Sequence, residues 1–390
     1  MTASLKSGNN WNRREFLRVC GQCALISCSS GFLPSSLLTS NVDAQEIKKG
    51  LPGRKLSPYF TTLSEKRIRC ELCPRQCEVA NGKRGYCRVR ENQDGKYYSL
   101  VYGNPCAVHI DPIEKKPFFH LLPSSQSFSI ATAGCNFDCK FCQNWEISQA
   151  APEDTLNYDL PPEQVVEKAS QYGCSSIAST YVEPSIFMEY MLEIGKLAHK
   201  KELLNVMHSN GYVNPKPLDD LCECLDAACI DLKGFTDEYY REVTGGTLQP
   251  VLDTLTRLKR HGIHTEIVNL IVTGKNDDPE QIRSMSKWIA GELGTDVPLH
   301  FSRFFPLYKL KSLEPTPIST LEKAWKIALE EGLHYVYIGN IPGHPAENTV
   351  CPNCRERVIE RFGYSITKIS LKDGKCANCG REIPGIWKKA

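Results

Sequence analysis

The chain has 390 residues, 41% of them hydrophobic and 24% charged, a composition that can bury a sizeable core and excludes a disordered chain. Lys and Arg number 47 against 45 Asp and Glu, so charge gives no reason to expect a nucleic-acid or anionic-membrane partner. No run of ~20 mainly apolar residues occurs, which excludes a multi-span membrane protein, and 19 cysteines stand in a chain too large to need disulfides for a core.

Residues 1–44 read as a targeting segment. Asn12-Arg13-Arg14-Glu15-Phe16-Leu17 has the form of a twin-arginine export signal. An uncharged stretch follows from Val19 to Val42, and Val42-Asp43-Ala44 puts small residues where a signal peptidase cuts. Export to the periplasm by the twin-arginine route is the expectation. The alternatives are a cytoplasmic protein with a vestigial signal, or a lipobox at Leu25-Ile26-Ser27-Cys28.

Residues 45–125 are rich in Cys, Gly, Pro and charge, with little helical periodicity. Tyr97–Tyr102 looks strand-like. Cys70, Cys73, Cys77 and Cys87 supply four thiolates, enough for one closed site. Zinc and an auxiliary Fe–S cluster both fit, and Cys106 could replace one ligand. The reading is a small N-terminal domain held by metal rather than by a core.

Residues 126–345 change character. Short apolar or alternating runs recur at 128–132, 176–180, 203–208, 227–231, 266–272, 299–304 and 335–338. Helical patterns lie between most of them. Phe187, Tyr190, Met191, Ile194 and Leu197 keep 3.6-residue spacing, and Gln281–Leu293 opens on Asp278-Pro279 as N-cap and first helical residue. Strand alternating with helix implies a parallel sheet with right-handed crossovers, a full or partial (β/α) barrel. Cys135, Glu183, Asn210, Asp231, Lys233 and Arg303 fall just past strand ends, the active face of such a barrel.

Residues 346–390 end in Cys351, Cys354, Cys376 and Cys379, a pair of C-x2-C knuckles with room for two short strands between them. Structural zinc is favoured over iron for this zinc-ribbon-like C-terminal domain. Following Gly339-Asn340 at the last strand, the unit is expected near the active rim and could cover it. The fold class is therefore α/β, a barrel with small Cys-rich metal-binding domains at both ends.

The central motif is Gly134-Cys135-Asn136-Phe137-Asp138-Cys139-Lys140-Phe141-Cys142-Gln143-Asn144-Trp145, directly after a predicted strand. Three thiolates can hold three irons of a [4Fe–4S] cube and leave the fourth open, whereas an electron-transfer cluster uses four. The competing reading is zinc with a fourth ligand from elsewhere. Cys174, Cys222, Cys224 and Cys229 read as buried small hydrophobes. His208, beside Ser209-Asn210-Gly211 at a strand end, and His300 could face the site, but a lone His is more often a satisfied core residue, so neither is counted as catalytic.

These residues resemble a known family. The Cys-x3-Cys-x-aromatic-Cys loop after the first barrel strand is similar to that of radical S-adenosylmethionine (SAM) enzymes. Cys70-Glu71-Leu72-Cys73-Pro74-Arg75-Gln76-Cys77, Ile113-Glu114-Lys115-Lys116-Pro117-Phe118, Cys142-Gln143-Asn144-Trp145, Arg303-Phe304-Phe305-Pro306-Leu307-Tyr308 and Tyr337-Ile338-Gly339-Asn340 resemble the AmmeMemoRadiSam-system radical SAM proteins. Those in turn are similar to the activating enzymes of glycyl radical enzymes such as pyruvate formate-lyase. The resemblance spans about residues 65–390.

It implies a [4Fe–4S] cluster on Cys135, Cys139 and Cys142, SAM on the open iron, and Phe141 near the adenine. It implies that Glu183 accepts hydrogen bonds from the methionyl ammonium. Relatives carry Gly-Gly-Glu there, and this chain has Tyr181-Val182-Glu183. Helix capping is the plain reading of Glu183. Asp231-Leu232-Lys233 matches an Asp-x-Lys that flanks SAM, and Arg303 falls near the last SAM-contacting position. The reaction implied is reductive cleavage of SAM to a 5′-deoxyadenosyl radical that takes hydrogen from a substrate. Implied partners are an electron donor such as a ferredoxin or flavodoxin and a Memo-like or AMMECR1-like protein. A glycyl-radical activase is the alternative function within the enzyme class. An Fe–S electron-transfer protein and a nucleic-acid-binding zinc ribbon are the alternatives outside it.

Overall fold

The computed structural model describes residues 47–388, so the expected export signal lies outside the described residues. An eight-stranded sheet organises them: β1 (Ala107–Pro112), β2 (Gln126–Ala131), β3 (Ser176–Ser179), β4 (Leu204–Ser209), β5 (Ala227–Asp231), β6 (His264–Ile271), β7 (Leu299–Arg303) and β8 (Val336–Gly339). The order runs from β1 to β8 without a break in sequence, β2 to β8 all parallel and β1 antiparallel at the edge. No ladder joins β8 to β1 among the described residues, so the barrel is partial. All seven expected strands are present. β1 adds an eighth, upstream of residue 126.

Strands β2 to β8 form because each is a short, largely buried run rich in apolar residues, as expected where helices cover one face, while β1 is half polar and pairs at the edge. Six crossover helices do so: α1 (Pro162–Gln171), α2 (Met188–His199), α3 (Pro215–Cys222), α4 (Gln249–Arg260), α5 (Pro279–Trp288) and α6 (Ile318–Glu330). Asp278 caps α5 as expected, its carboxylate accepting from Glu280 N. Inside the barrel, Ala178, Val206, Ala227, Cys229 and Val268 pack against Ile113, Phe118, Leu121 and Ile386. The segment 113–121 and Ile386 thus close the barrel from the side where the strands begin.

The Cys-rich ends differ in attachment. In the N-terminal region short antiparallel ladders pair Phe60–Thr62 with Ile68–Cys70 and Arg90–Gln93 with Lys96–Ser99. Ile68, Leu72, Val79 and Tyr97 belong to the same hydrophobic core as the barrel. At the C-terminus, Arg357–Phe362 and Ser365–Ile369 form the expected two strands. The core of that unit docks away from the active rim, and only its Phe362–Gly363 turn reaches Pro342 and Gly343 just past β8. Its Cys351, Val358, Cys376 and Ile383 pack on Phe119, Tyr335 and Tyr337, at the beginnings of the last strands. Arg361 Nη2 donates to Phe119 O at 2.8 Å, and Ile386 N to His120 O at 2.8 Å. The segment 118–122 supplies a docking surface that adjacency in sequence does not reveal.

Candidate active site

The loop after β2 is built to be rigid. Gly134 has φ +89°, and a Cβ there would lie 2.4 Å from Cys87 O and 2.6 Å from Val89 Cγ1, so only glycine fits. Backbone bonds fasten the loop: Gly134 N to Ile147 O (2.8 Å), Asp138 N to Thr244 O (3.1 Å) and Lys140 N to Val243 O (2.9 Å). Buried Asn136 donates from Nδ2 to Tyr212 O at 2.8 Å and accepts from Asn210 Nδ2 at 2.8 Å. Arg75, from the N-terminal knuckle, donates from Nε to Asn136 O at 2.6 Å and from Nη2 to Gly245 O, and stacks on Tyr86.

Cys135, Cys139 and Cys142 thus sit at the C-terminal end of β2. Burial pushes the Cys139 thiol up to about 12 and raises Cys135 well above its ordinary value. Among the described residues, none of the three joins two other Cys, His, Asp or Glu ligand atoms that all lie within 4.8 Å of one another. A single tetrahedral ion would hold its sulfurs about 3.8 Å apart, from a metal–sulfur bond of about 2.3 Å. The zinc reading of this loop therefore lacks its fourth ligand and its spacing.

Other strand ends converge on the loop. Lys233 Nζ donates to Asp231 Oδ2 at 3.0 Å and stands 5.5 Å from the centre of the Phe141 ring. His208 Nε2 lies 3.1 Å from Asp231 Oδ1. Burial would raise the Asp231 carboxyl, but Lys233 and His208 outweigh it and hold it far below the usual range. Burial would likewise lower Lys233, and the charges of Asp231 and Cys139 outweigh it and raise it. The structure thus brings Cys139, Phe141, Asp231 and Lys233 together. It adds His208, which the sequence placed at a strand end but left out of the catalytic set because a lone His is more often a core residue. His300 is a core residue, buried and 2.7 Å from Glu266 Oε2.

Glu183 is 2% exposed and its carboxylate is already used. Oε1 accepts from Ser185 N (2.9 Å) and Ser209 Oγ (2.8 Å), and Oε2 from Asn210 N (2.7 Å). The residue caps the turn that follows it and locks the end of β3 to the end of β4. Tyr181 has φ +66°, a conformation that favours glycine, where the resemblance places a glycine. Its strain is held by Asn144 Nδ2, which donates to Tyr181 O at 2.7 Å, and by its hydroxyl, which donates to Asp111. Arg303 ends β7 and donates from Nε to Thr316 O at 2.8 Å; none of its hydrogen bonds reaches the three-cysteine loop. Trp145 stacks on Tyr308, centroids 5.1 Å apart, and so joins two of the segments singled out in the sequence.

The two flanking cysteine sets contrast. Cys351 Sγ lies 3.6 Å from Cys379 Sγ and Cys354 Sγ 3.6 Å from Cys376 Sγ, and all four sulfurs fall within 4.8 Å of one another. That is single-ion spacing. Cys70, Cys73 and Cys87 are buried and Cys77 half-buried, and no three of these sulfurs draw in to that distance among the described residues.

A (β/α) barrel carrying a three-cysteine loop at the C-terminal end of its first parallel strand defines an iron–sulfur enzyme with its chemistry on that rim. Residues 129–289 match the Radical SAM superfamily, and the chain belongs to it. It is 45% identical over 327 residues to the uncharacterized protein MJ0808 of Methanocaldococcus jannaschii, covering 83% of this chain and 97% of that one. It is 22% identical over 220 residues to pyruvate formate-lyase 1-activating enzyme of Escherichia coli, 52% of this chain and 88% of that one. A solved domain of pyruvate-formate lyase-activating enzyme from Bacteroides vulgatus aligns with TM-score 0.39 and 14% identity, over 43% of this chain and 99% of that one. The protein is a radical SAM enzyme: it uses a [4Fe–4S] cluster, SAM and a reductant. No helix among the described residues is long and apolar enough to cross a membrane.

Proposed function

We propose that Cys135, Cys139 and Cys142 hold the [4Fe–4S] cluster and that SAM binds over it against Phe141, Asp231 and Lys233. The observation that carries this is the convergence of Lys233 on Phe141 and on the Cys139 loop, with Asp231 and His208 behind it. The donor set supports the fit: buried Cys139 and half-buried Cys135 and Cys142 stand on one fastened loop, and among the described residues they form no single-ion group with one another or with any other Cys, His, Asp or Glu. When bound, the cluster supplies the electron that cleaves SAM.

The chain's own residues do the rest. Lys233, kept charged by Asp231, offers a fixed cation to the carboxylate of SAM. Phe141 offers a flat apolar face to the adenine, while it also packs in the core. Glu183 is a positioning residue first, since its bonds to Ser185, Ser209 and Asn210 fix the rim on which the methionyl group lies. Arg303 stands at the end of β7 on the same rim, its Nε held by Thr316 O.

The finer reading is an enzyme of the AmmeMemoRadiSam type with an activase-like reaction. The stretch shared with pyruvate formate-lyase 1-activating enzyme and the Trp145–Tyr308 stack between two segments of the resemblance support it. Its partners in this reading are a ferredoxin or flavodoxin and a Memo-like or AMMECR1-like protein. Cys351, Cys354, Cys376 and Cys379 hold structural zinc. Residues 1–44 direct export by the twin-arginine route. The test of the core assignment is anaerobic reconstitution with SAM and dithionite. The parent protein releases 5′-deoxyadenosine, and Cys139→Ala releases none while its circular dichroism is unchanged. SAM cleavage by Cys139→Ala would refute the ligand assignment.

A further inference from the structure

The N-terminal cysteines lie against the active loop. Cys87 O occupies the space a side chain at Gly134 would take, one residue before Cys135. Leu72 O accepts from Asn214 N at 3.0 Å, Glu71 O from Asn214 Nδ2 at 2.7 Å, and Arg75 grips Asn136 and Gly245. The region that carries Cys70, Cys73, Cys77 and Cys87 is thereby bolted to the rim at several points and shares its core.

The four thiols themselves converge. Cys70 N donates to Cys77 O at 2.9 Å, and a Cβ at Gly85, two residues before Cys87, would lie 3.8 Å from Cys77 Sγ. Cys73 lies within electrostatic reach of Cys70, Cys77 and Cys87. Yet no three of these sulfurs lie within 4.8 Å of one another among the described residues, unlike the C-terminal set. The set is thus drawn together without reaching the spacing of one ion, whose sulfurs would be about 3.8 Å apart. Arg90 is 1% exposed and sits within reach of Cys70 and Cys87. Its guanidinium is paired with the Glu189 carboxylate, Nη1 to Oε1 at 2.8 Å, which fixes its planar head beside Cys70 and Cys87.

We propose that Cys70, Cys73, Cys77 and Cys87 hold a second, four-thiolate [4Fe–4S] cluster that passes electrons to the cluster on Cys135, Cys139 and Cys142. The proposal rests on the ligand assignment made above for the active loop. All four irons of the second cluster have a protein ligand, so it has no open position for SAM and serves as a relay. A low-potential one-electron donor protein reduces the second cluster. That electron then moves, with no bond made or broken, to the active cluster, where it is consumed in cleaving the sulfur–carbon bond of SAM. The active loop is walled on this side by Cys87 and Val89, so the N-terminal set stands directly against the loop that would receive the electron.

The test separates this from the active-site reading by deleting the active ligands. Full-length protein carrying Cys135→Ala, Cys139→Ala and Cys142→Ala is reconstituted anaerobically with iron and sulfide. It should retain about four irons per chain and, once reduced, give an electron paramagnetic resonance signal that added SAM does not change. Zinc without iron would overturn the proposal. Adding Cys73→Ser and Cys77→Ser should remove that iron and leave the C-terminal metal; iron that persists would overturn it too. In otherwise native holoenzyme, Cys77→Ser should slow reduction of the active cluster by reduced flavodoxin by an order of magnitude and leave reduction by dithionite unchanged. An unaltered flavodoxin rate would overturn the relay. 5′-Deoxyadenosine release by the parent protein with dithionite judges the active-site reading separately.

Discussion

Arg75 Nε donates to Asn136 O at 2.6 Å, so a side chain from the N-terminal knuckle holds the backbone between Cys135 and Cys139. The same guanidinium reaches Gly245 O, in the turn whose neighbours Val243 and Thr244 bond the other end of the loop.

Arg75→Met keeps the stem and removes the fork. Hydrogen bonds from a charged donor contribute about 1.5–3 kcal/mol, and two are lost. The reconstituted variant should melt several degrees lower and lose iron from the active loop faster than the parent on desalting. Equal melting and equal iron retention would mean that Asn136 and the backbone bonds hold the loop without Arg75.

Glu183→Gln should destabilise the rim. Wherever the new amide nitrogen points, it faces a backbone N–H, that of Ser185 or that of Asn210. An orphaned buried donor costs about 1–3 kcal/mol. Denaturant unfolding of the cluster-free protein should show that loss, and SAM affinity should fall with it. Weaker SAM binding at unchanged stability would place Glu183 in direct contact with the methionyl ammonium instead.

The seven parallel strands were legible because each is a compact buried run between helix signals, and the spacing of Cys135, Cys139 and Cys142 carries its chemistry in the sequence. β1 was not legible. His109 and Asp111 interrupt its apolar pattern, and Asp111 is tolerated there because Lys115, Lys116 and Tyr181 satisfy it. The partners of Glu183 were hidden because Ser209 and Asn210 lie on another strand end. The docking surface of the C-terminal unit's core was hidden, because Phe119 and His120 are more than two hundred positions away in the chain.

His120 ties that unit down and makes its attachment sensitive to acid. Its Nδ1 lies 2.6 Å from Pro384 O and its Nε2 2.6 Å from Tyr337 OH. Burial pushes its imidazole down to about 4, against about 6.5 in an unfolded chain. Between those values the unfolded chain binds the proton and the folded one does not, so stability falls as pH drops from about 6.5 to about 4, by about 3 kcal/mol in all. His120→Phe should be less stable at pH 7 and lose less on acidification than the parent. Parallel pH profiles from urea unfolding would show that His120 does not carry the effect.

Removal of the C-terminal metal should release the unit from the barrel without disturbing the active rim. The four sulfurs are at single-ion spacing, and the unit has a small core of its own: Cys351, Val358, Cys376 and Ile383, with Phe119, Tyr335 and Tyr337 lent by the barrel. Two of its own four core side chains are metal ligands, so loss of the ion removes both the cross-link and the packing it orders. Cys376→Ser with Cys379→Ser in the full chain should leave residues after 346 open to protease, while residues 47–345 resist it. SAM cleavage should persist, because the core of the unit docks where the strands begin and only its Phe362–Gly363 turn reaches Pro342 and Gly343 past the end of β8. Metal analysis of the parent after loading only the C-terminal set should find one zinc per chain; visible charge-transfer bands of iron would overturn zinc. Loss of SAM cleavage in the variant, with the active-loop iron retained, would show that the rim depends on the unit after all.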